Sequence, residues 1–510
     1  MTISHPGNIL ARYSKTSFFG QAGILFLRYS EDTPMRSTMK RVYTTWTIFV
    51  LVLLSVSESA YAQAGVKTQT GAFADGATFL IEVPANWNGT LLLYSHGYVP
   101  PGSTNPPQDV GDPLTRFFLL SNGYALAGSS YATTGWAIHE ALPDQIAVLD
   151  TFAASVGHPS RTIAWGHSLG GIISAGLIQR FPERFDAALP MCGVLGGGVG
   201  IWNQGLDTAF AFKTLLASGS PLNLTGITNP LANLGLAEQL LSVAQQTSPQ
   251  ARARIALAAA LADTPGWFIP TSPEPAASDL ASRETNQFLW LQQVGFPFLF
   301  AFRADLEARA GGNPSWNTGV NYEVQLAHSA DRNEVRALYK EAGLNLDADL
   351  EALNQASRIK ANESAVDYLE QNLIFNGQIG VPVLTLHTSG DGLVSVQNER
   401  AYKHVVREAG NNSLLRETFV HRAGHCTFTP AETITALENL IVRLDTGKWS
   451  KLEPATLNNT ALALGPSFNV FFLGQNLVPT GPEFFEFKPS QYLRPFDALA
   501  EVDQEEGPER

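Results

Sequence analysis

Ile163-Ala164-Trp165-Gly166-His167-Ser168-Leu169-Gly170-Gly171 is the segment from which the rest of the chain can be placed. An apolar run from Thr162 to Trp165 is cut by Gly166. Ser168 then stands among small residues, and Gly170-Gly171-Ile172-Ile173-Ser174-Ala175-Gly176-Leu177 begins a helical pattern. The order is strand, tight turn, helix. In so sharp a turn the serine is forced into a strained backbone conformation, and glycines two positions to either side keep the neighbouring chain from colliding with it. Its hydroxyl stands clear of the sheet at the positive end of the following helix, where developing negative charge is favoured.

This G-x-S-x-G, in its strand-turn-helix setting, resembles the nucleophile elbow of the α/β-hydrolase superfamily. The resemblance covers roughly Leu91 to Trp449 apart from an insertion. It implies a mostly parallel central sheet with helices on both faces, a large and mainly helical lid insertion, and Ser168 as nucleophile.

The bulk numbers agree with a large folded enzyme. Of 510 residues, 45% are hydrophobic and only 15% charged, enough for a substantial core and too apolar for disorder. The formal net charge of −13 argues against nucleic acid or an anionic membrane surface as partner, since both demand a basic patch. Near the amino terminus Lys40-Arg41 precede an apolar run from Trp46 to Val56, and Ala60-Tyr61-Ala62 gives the small-x-small pattern that a signal peptidase reads. That run is about half the ~20 residues a bilayer span needs, so the pattern predicts export with cleavage after Ala62 and no stable membrane insertion afterwards. Residues 1–62 are therefore assigned as a signal peptide with an over-long beginning, the true start being Met35 or Met39. The mature protein is expected to be secreted or periplasmic.

Alternation from Ala72 to Val83, with a turn at Asn86-Trp87-Asn88-Gly89, suggests an early antiparallel strand pair. Thr90 to Ser95 reads as a strand buried on both faces, ending in His96-Gly97-Tyr98. Tyr124 to Ser130 is the next strand, Ile138 to Val156 has a helical period, and Phe185 to Met191 is a strand that ends in Cys192-Gly193. Residues 63–193 thus form the first part of the hydrolase core. The glycine run Leu195 to Gly200 lacks the βαβ context of a dinucleotide site and reads as a flexible hinge. Residues 194–376 are dominated by helical patterns, at Leu231 to Val243, Arg252 to Ala262 and Arg283 to Ala308, and are assigned as lid and substrate domain. The aromatics there (Trp267, Phe268, Trp290, Phe296, Phe298, Phe300, Trp316) fit the block's own core better than a pocket. Residues 377–449 resume the sheet, with strands at Val381 to His387 and Leu414 to Val420. Residues 450–510 are an aromatic and Pro-rich extension packed on the core.

A serine hydroxyl needs a base within reach and a group to orient that base. The chain order Ser168, Asp391, His425 matches the superfamily's serine, acid, histidine. Resemblance places Asp391 just past a sheet strand as the acid and His425 on the following loop as the base. It places the amides of Leu169 and of Gly97 or Tyr98 in the oxyanion hole. His421 competes for the base but falls at a strand end, and Asp391 in Gly390-Asp391-Gly392 also suits a plain turn. His421 and His425 do not make a zinc pair, because Arg422 stands where H-E-x-x-H has glutamate. His96 and His167 fit structural roles, bonding loop backbone. The two cysteines, Cys192 and Cys426, are expected to be bridged in an exported chain, pinning the His425 loop to the sheet. Secreted tannase and feruloyl-esterase relatives also tie this loop with a cysteine pair, but there one cysteine directly precedes the serine, and here that position is His167.

Together these features predict a serine hydrolase that cleaves a small or polymeric carboxylic ester through an acyl-enzyme, with no cofactor and no metal. The alternative is a secreted serine peptidase of aminopeptidase type on the same fold. A non-catalytic binding protein on this scaffold would be expected to have lost a triad member, whereas all three residue types are present.

Overall fold

The computed structural model describes residues 65–473 and 476–496. The signal segment proposed for 1–62 and the acidic end of the chain lie outside the described residues.

The central sheet contains β1 (Val66–Ala72), β2 (Thr78–Pro84), β3 (Thr90–Ser95), β4 (Ala125–Ser129), β5 (Arg161–His167), β6 (Ala187–Met191), β7 (Val383–Gly390) and β8 (Leu415–Ala423). A smaller pair, β9 (Val470–Leu473) and β10 (Asn476–Pro479), lies apart, and β11 (Phe484–Phe485) adds an edge to the main sheet. The spatial order is β1-β2-β4-β3-β5-β6-β7-β8-β11. From β4 to β8 all neighbours are parallel, and β1, β2 and β11 are attached antiparallel.

The inner strands are apolar on both faces because each face carries a layer of helices. Leu91, Leu93, Ala164 and Ala188 point into one core, and Leu92, Tyr94, Ile163, Trp165 and Leu189 into the other. The first layer includes α2 (Ile138–Ser155) and α3 (Leu169–Arg180). The second starts with α1 (Pro113–Ser121), whose Leu119 and Leu120 are buried. The chain between β6 and β7 is helical: α4 (Gly197–Leu216), α5 (Pro230–Thr247), α6 (Pro249–Ala260), α7 (Leu280–Trp290), α8 (Arg303–Ala310), α9 (Tyr322–His328), α10 (Arg332–Glu341), α11 (Leu346–Gln355) and α12 (Glu363–Leu373). This block has a core of its own, running from Leu206 on α4 to Leu353 on α11. After β7 come α13 (Gln397–Glu408), on the first face, and α14 (Pro430–Thr446) and α15 (Pro454–Ala463), on the second.

Four local expectations are corrected. The first hairpin turns at residues 73–77, and Asn86–Gly89 links β2 to β3. The first strand lacked an apolar alternation because it is an edge whose Lys67, Thr68 and Thr70 face water. The glycine run is no flexible hinge: Gly197, Gly198 and Gly200 open α4 and are buried. A Cβ on Gly200 would lie 3.0 Å from the Arg494 carbonyl, so the glycines there serve close packing. The helix expected over Arg283 to Ala308 is continuous but not α throughout: two π-helical stretches, Leu291–Gly295 and Phe298–Phe302, lie on either side of Pro297 and join α7 to α8. Finally, β8 continues past Val420 to Ala423, so His421 lies within a strand.

Candidate active site

Ser168 sits between β5 and α3 with φ +58° and ψ −119°, a conformation unfavourable for a residue with a Cβ. Contacts on every side hold it there. A Cβ on Gly166 would meet the Ser95 carbonyl oxygen at 2.3 Å, one on Gly170 the same atom at 1.8 Å, and one on Gly171 the Gly193 Cα at 2.6 Å. The glycines are thus demanded by the strand and loop that the elbow crosses.

His425 lies on the loop between β8 and α14. Its Nε2 is 2.7 Å from Ser168 Oγ, and its Nδ1 is 2.6 Å from Asp391 Oδ2. The loop is fixed at several points. Cys426 is bonded to Cys192 at the end of β6, with the two Cα atoms 5.5 Å apart and both residues at positive φ. Thr388 Oγ1 donates to the Gly424 carbonyl at 2.7 Å. Arg422, fully buried, pairs with Glu432 at 2.7 Å, and Glu432 closes a capping box with Thr429 at the start of α14. Cys192, His425 and Cys426 are close enough together to suggest a metal site, but the bridge occupies both sulfurs.

Asp391 is buried just beyond β7. Its Oδ1 accepts the amides of Leu393 at 2.9 Å and Val394 at 3.0 Å. Burial works against its charge, but the positive field of His425 and hydrogen bonds from His387 and His425 outweigh it and lower the pKa to about 2.

Behind Asp391 stands a residue that sequence reasoning missed. His387, with no exposed side-chain surface, has Nε2 3.6 Å from Asp391 Oδ2 and 2.9 Å from the Val394 carbonyl. Its Nδ1 is 2.8 Å from Glu399 Oε1, whose other oxygen accepts from Thr385 Oγ1 at 2.5 Å. A carbonyl can only accept, and Glu399 already receives the threonine proton, so both ring nitrogens are placed to donate. Burial disfavours the cation, yet the bonds to Asp391 and Glu399 prevail and raise the His387 pKa to about 10. A single histidine in an apolar strand gives no periodic signal. The only hint was a carboxylate twelve residues on.

The other histidines are elsewhere. His421 packs between Trp267 and Phe485, at centroid distances of 5.0 and 4.9 Å, with Nδ1 3.4 Å from Ser389 Oγ. His96 bonds the carbonyls of Gly97 at 2.7 Å and Ser130 at 3.1 Å. His167 corrects the expectation of a backbone contact: its Nδ1 meets the Tyr94 hydroxyl at 3.0 Å. Burial, helped by the nearby charge of His425, lowers its pKa to about 4 and keeps it neutral.

Ser168 and Leu169 open into a partly enclosed cavity. Loops of the sheet supply Tyr98 and Gly392 to Ser395, and the helical block supplies one face of α4, Trp290 and the two π-helical stretches. Its lining carries no charged side chain. Gly97 adjoins the serine, as a Cβ placed there would be 3.5 Å from Ser168 Cβ. Trp290 and Phe298, expected in the block's core, line this cavity instead, whereas Phe296 and Phe300 do lie in that core.

Sheet order and the strand–turn–helix elbow give the chain the fold of the α/β-hydrolase superfamily. No protein-family model matches the chain. The chain belongs to the family of the o-phthalyl amidase of Xanthobacter agilis, to which it is 30% identical over 440 residues, covering 79% of this chain and 93% of the relative. Among solved structures, an esterase from Aspergillus oryzae is similar with 13% identity and a TM-score of 0.38, over 84% of this chain and 89% of that one. Feruloyl esterase B from the same organism gives 14% and 0.35, over 75% and 80%. With identities this low and TM-scores under one half, neither likeness speaks to function.

Proposed function

We propose that the protein is an exported hydrolase that cleaves small aromatic acyl derivatives, esters and amides alike, through an acyl-enzyme on Ser168. The observation that carries this is the continuous hydrogen-bonded chain from Ser168 Oγ through His425 to Asp391, at 2.7 and 2.6 Å. In this scheme His425 Nε2 takes the serine proton as Oγ attacks the acyl carbon. The resulting oxyanion is held by the amide of Leu169 and that of Gly97 or Tyr98. His425 then gives its proton to the departing alcohol or amine. Water repeats the sequence on the acyl-enzyme, releasing the acid and restoring Ser168. Asp391, ionised over the whole working range, keeps Nδ1 protonated and stabilises the imidazolium.

Amides come into the proposal from the relative, which is named for one. The aminopeptidase alternative is less well supported, since no lining side chain carries a carboxylate to receive a free ammonium. Export rests on the amino-terminal pattern and on the disulfide, a bond typical of oxidising compartments. Residues 194–376 are proposed as the substrate-binding insertion, because α4 and the π-helical stretches wall the cavity.

The test is covalent labelling by a fluorophosphonate, alongside turnover of p-nitrophenyl benzoate, benzoyl p-nitroanilide and aminoacyl p-nitroanilides. Labelling that disappears in Ser168→Ala, with benzoyl substrates preferred, is expected. Labelling that persists in that variant refutes the mechanism, and preference for free aminoacyl anilides restores the peptidase.

A further inference from the structure

Gly205 on α4, Gly295 at the end of the first π-helical stretch and Gly392 directly after Asp391 all line the cavity beside Ser168. Packing explains two of these glycines. A Cβ on Gly205 would lie 2.5 Å from Leu299 Cδ2, and one on Gly392 would lie 2.3 Å from the buried Trp290 indole. Gly295 is different. A Cβ there would have Leu291 Cδ2 and the Trp290 carbonyl oxygen as its nearest neighbours, both at 3.7 Å, which is ordinary contact. Its φ is not in the left-handed region, so the backbone asks for no glycine either. After proline, glycine is the least favourable residue inside a helical run. Neither packing nor main-chain geometry accounts for this one.

Its place in the run shows where a side chain would go. Leu291, Gly295 and Leu299 recur at every fourth residue, Trp290 and Phe298 lie beside them, and all five line the cavity. Residues so spaced share one face of a helical segment. The Phe296 N–H reaches back five residues to the Leu291 carbonyl, so the turn that ends at Gly295 is wider than an α turn. On that face Gly295 offers only main-chain atoms between two leucines one turn away on either side. The missing side chain leaves a notch in a wall that is otherwise aliphatic and aromatic.

We infer that Gly295 is a specificity-determining residue, whose missing side chain makes the room in which the aromatic ring of the acyl group lies. This rests on the reading of Ser168 as the nucleophile of an aromatic acyl hydrolase. The acyl group stays bonded to Ser168 while the alcohol or amine departs and water enters, so it is the part of the substrate for which a walled space must be kept. Trp290 and Phe298 flank the notch with aromatic surface suited to a ring. A side chain at position 295 competes with the ring for the same space, and the cost rises with the size of either.

The experiment measures kcat/KM for p-nitrophenyl acetate, benzoate and 2-naphthoate, which share a leaving group and differ only in the acyl part, with the unmodified enzyme, Gly295→Ala and Gly295→Leu. The benzoate-to-acetate ratio is expected to fall several-fold in Gly295→Ala and by about tenfold or more in Gly295→Leu, and the naphthoate-to-acetate ratio to fall further in both. Gly295→Ala should melt no lower than the unmodified enzyme, as befits a glycine that no contact requires. The alanine variant decides the matter if the leucine variant does not fold. Gly235→Ala is the control: Gly235 lies in an exposed turn of α5, a Cβ there would also be free of close contacts, and both ratios should stay where they were. Ratios unmoved in the Gly295 variants overturn the inference, as do equal losses on all three esters or a fall shared by the control. A melting temperature lowered by several degrees in Gly295→Ala overturns it too, by showing that packing demands the glycine. If fluorophosphonate fails to label the unmodified enzyme, the hydrolase reading falls; a labelled enzyme whose ratios ignore residue 295 overturns the present inference alone.

Discussion

Asp391 illustrates how much depends on one side chain's surroundings. Its Oδ1 accepts two backbone amides, and its Oδ2 faces the His425 imidazole, with His387 behind. Asp391→Asn would keep the size but present an amide N–H or a weaker acceptor, favouring the wrong tautomer. A loss in kcat of about 10⁴-fold is expected with KM little changed, as for other serine triads. Steady-state kinetics on a benzoyl ester would read it, and a loss under tenfold would mean Asp391 is not the orienting acid. Behind it, His387 held as a cation between Asp391 and Glu399 keeps an extra positive charge near the carboxylate. Apart from Glu399 twelve residues on, nothing in the sequence marked it, since its burial and its pairing arise only in the folded chain. Ser168, by contrast, was legible because the glycines about it are imposed by the same crowding that positions it. His425 was separable from His421 because Gly424-His425 reads as loop, and His421 remains in β8.

At the level of elements, the loop carrying His425 is held by one bond that the sequence foretold, the Cys192–Cys426 bridge, and by one that it did not, the Arg422–Glu432 pair. Arg422 and Glu432 bracket it at 2.7 Å, and Cys426 joins it to β6 across 234 residues. Closing so long a loop is worth about 2–5 kcal/mol of stability. Replacing both cysteines by alanine should lower the melting temperature and reduce kcat more than it raises KM, since the imbalance falls on the imidazole and not on the cavity. Unchanged kcat in a folded variant would show that Arg422–Glu432 suffices. The parallel strands and their helices were readable from runs apolar on both faces. The first edge strand and the π-helical stretches were not: exposed Lys67 and Thr70 carry no pattern, and a π turn leaves none either, although α4 packs so closely on the second stretch that a Cβ on Gly205 would lie 2.5 Å from Leu299 Cδ2. The glycine run at α4 misled because glycine serves close packing as readily as flexibility.

Across the whole molecule, protonation and a terminal strap set stability. Burial raises Asp144, Asp263, Glu284 and Asp331 each to a pKa of about 7. Unfolded carboxyls titrate near 4, so between pH ~4 and ~7 the folded chain binds more protons and loses stability as pH rises. His387, raised to about 10, adds stability that is complete below the unfolded value of ~6.5 and is lost as pH climbs to 10. Melting temperature should therefore peak on the acid side, near pH 4–5, and fall thereafter. His387→Gln should flatten the fall above pH 7 while leaving that below it. A curve rising from pH 5 to 8 would contradict the assignment.

The carboxy-terminal extension also matters. Arg494 reaches fully buried Asp207 on α4, which also accepts from Tyr322 and Gln325 at 3.0 Å, and donates to the Trp316 carbonyl at 2.8 Å. Arg494→Met leaves that carboxylate without its cation and should cost about 3–5 kcal/mol in denaturant titration. Adding Asp207→Asn should recover part of the loss, and no recovery would mean Arg494 acts through packing alone.

The bridge between Cys192 and Cys426 has one more outcome, because every helix from α4 to α12 lies inside the ring it closes. A protease that nicks any exposed turn there severs the backbone without releasing a fragment. Such a clipped molecule would run as a single species on a non-reducing gel and split in two only after a thiol is added, so intactness in preparations of this protein must be judged under reducing conditions.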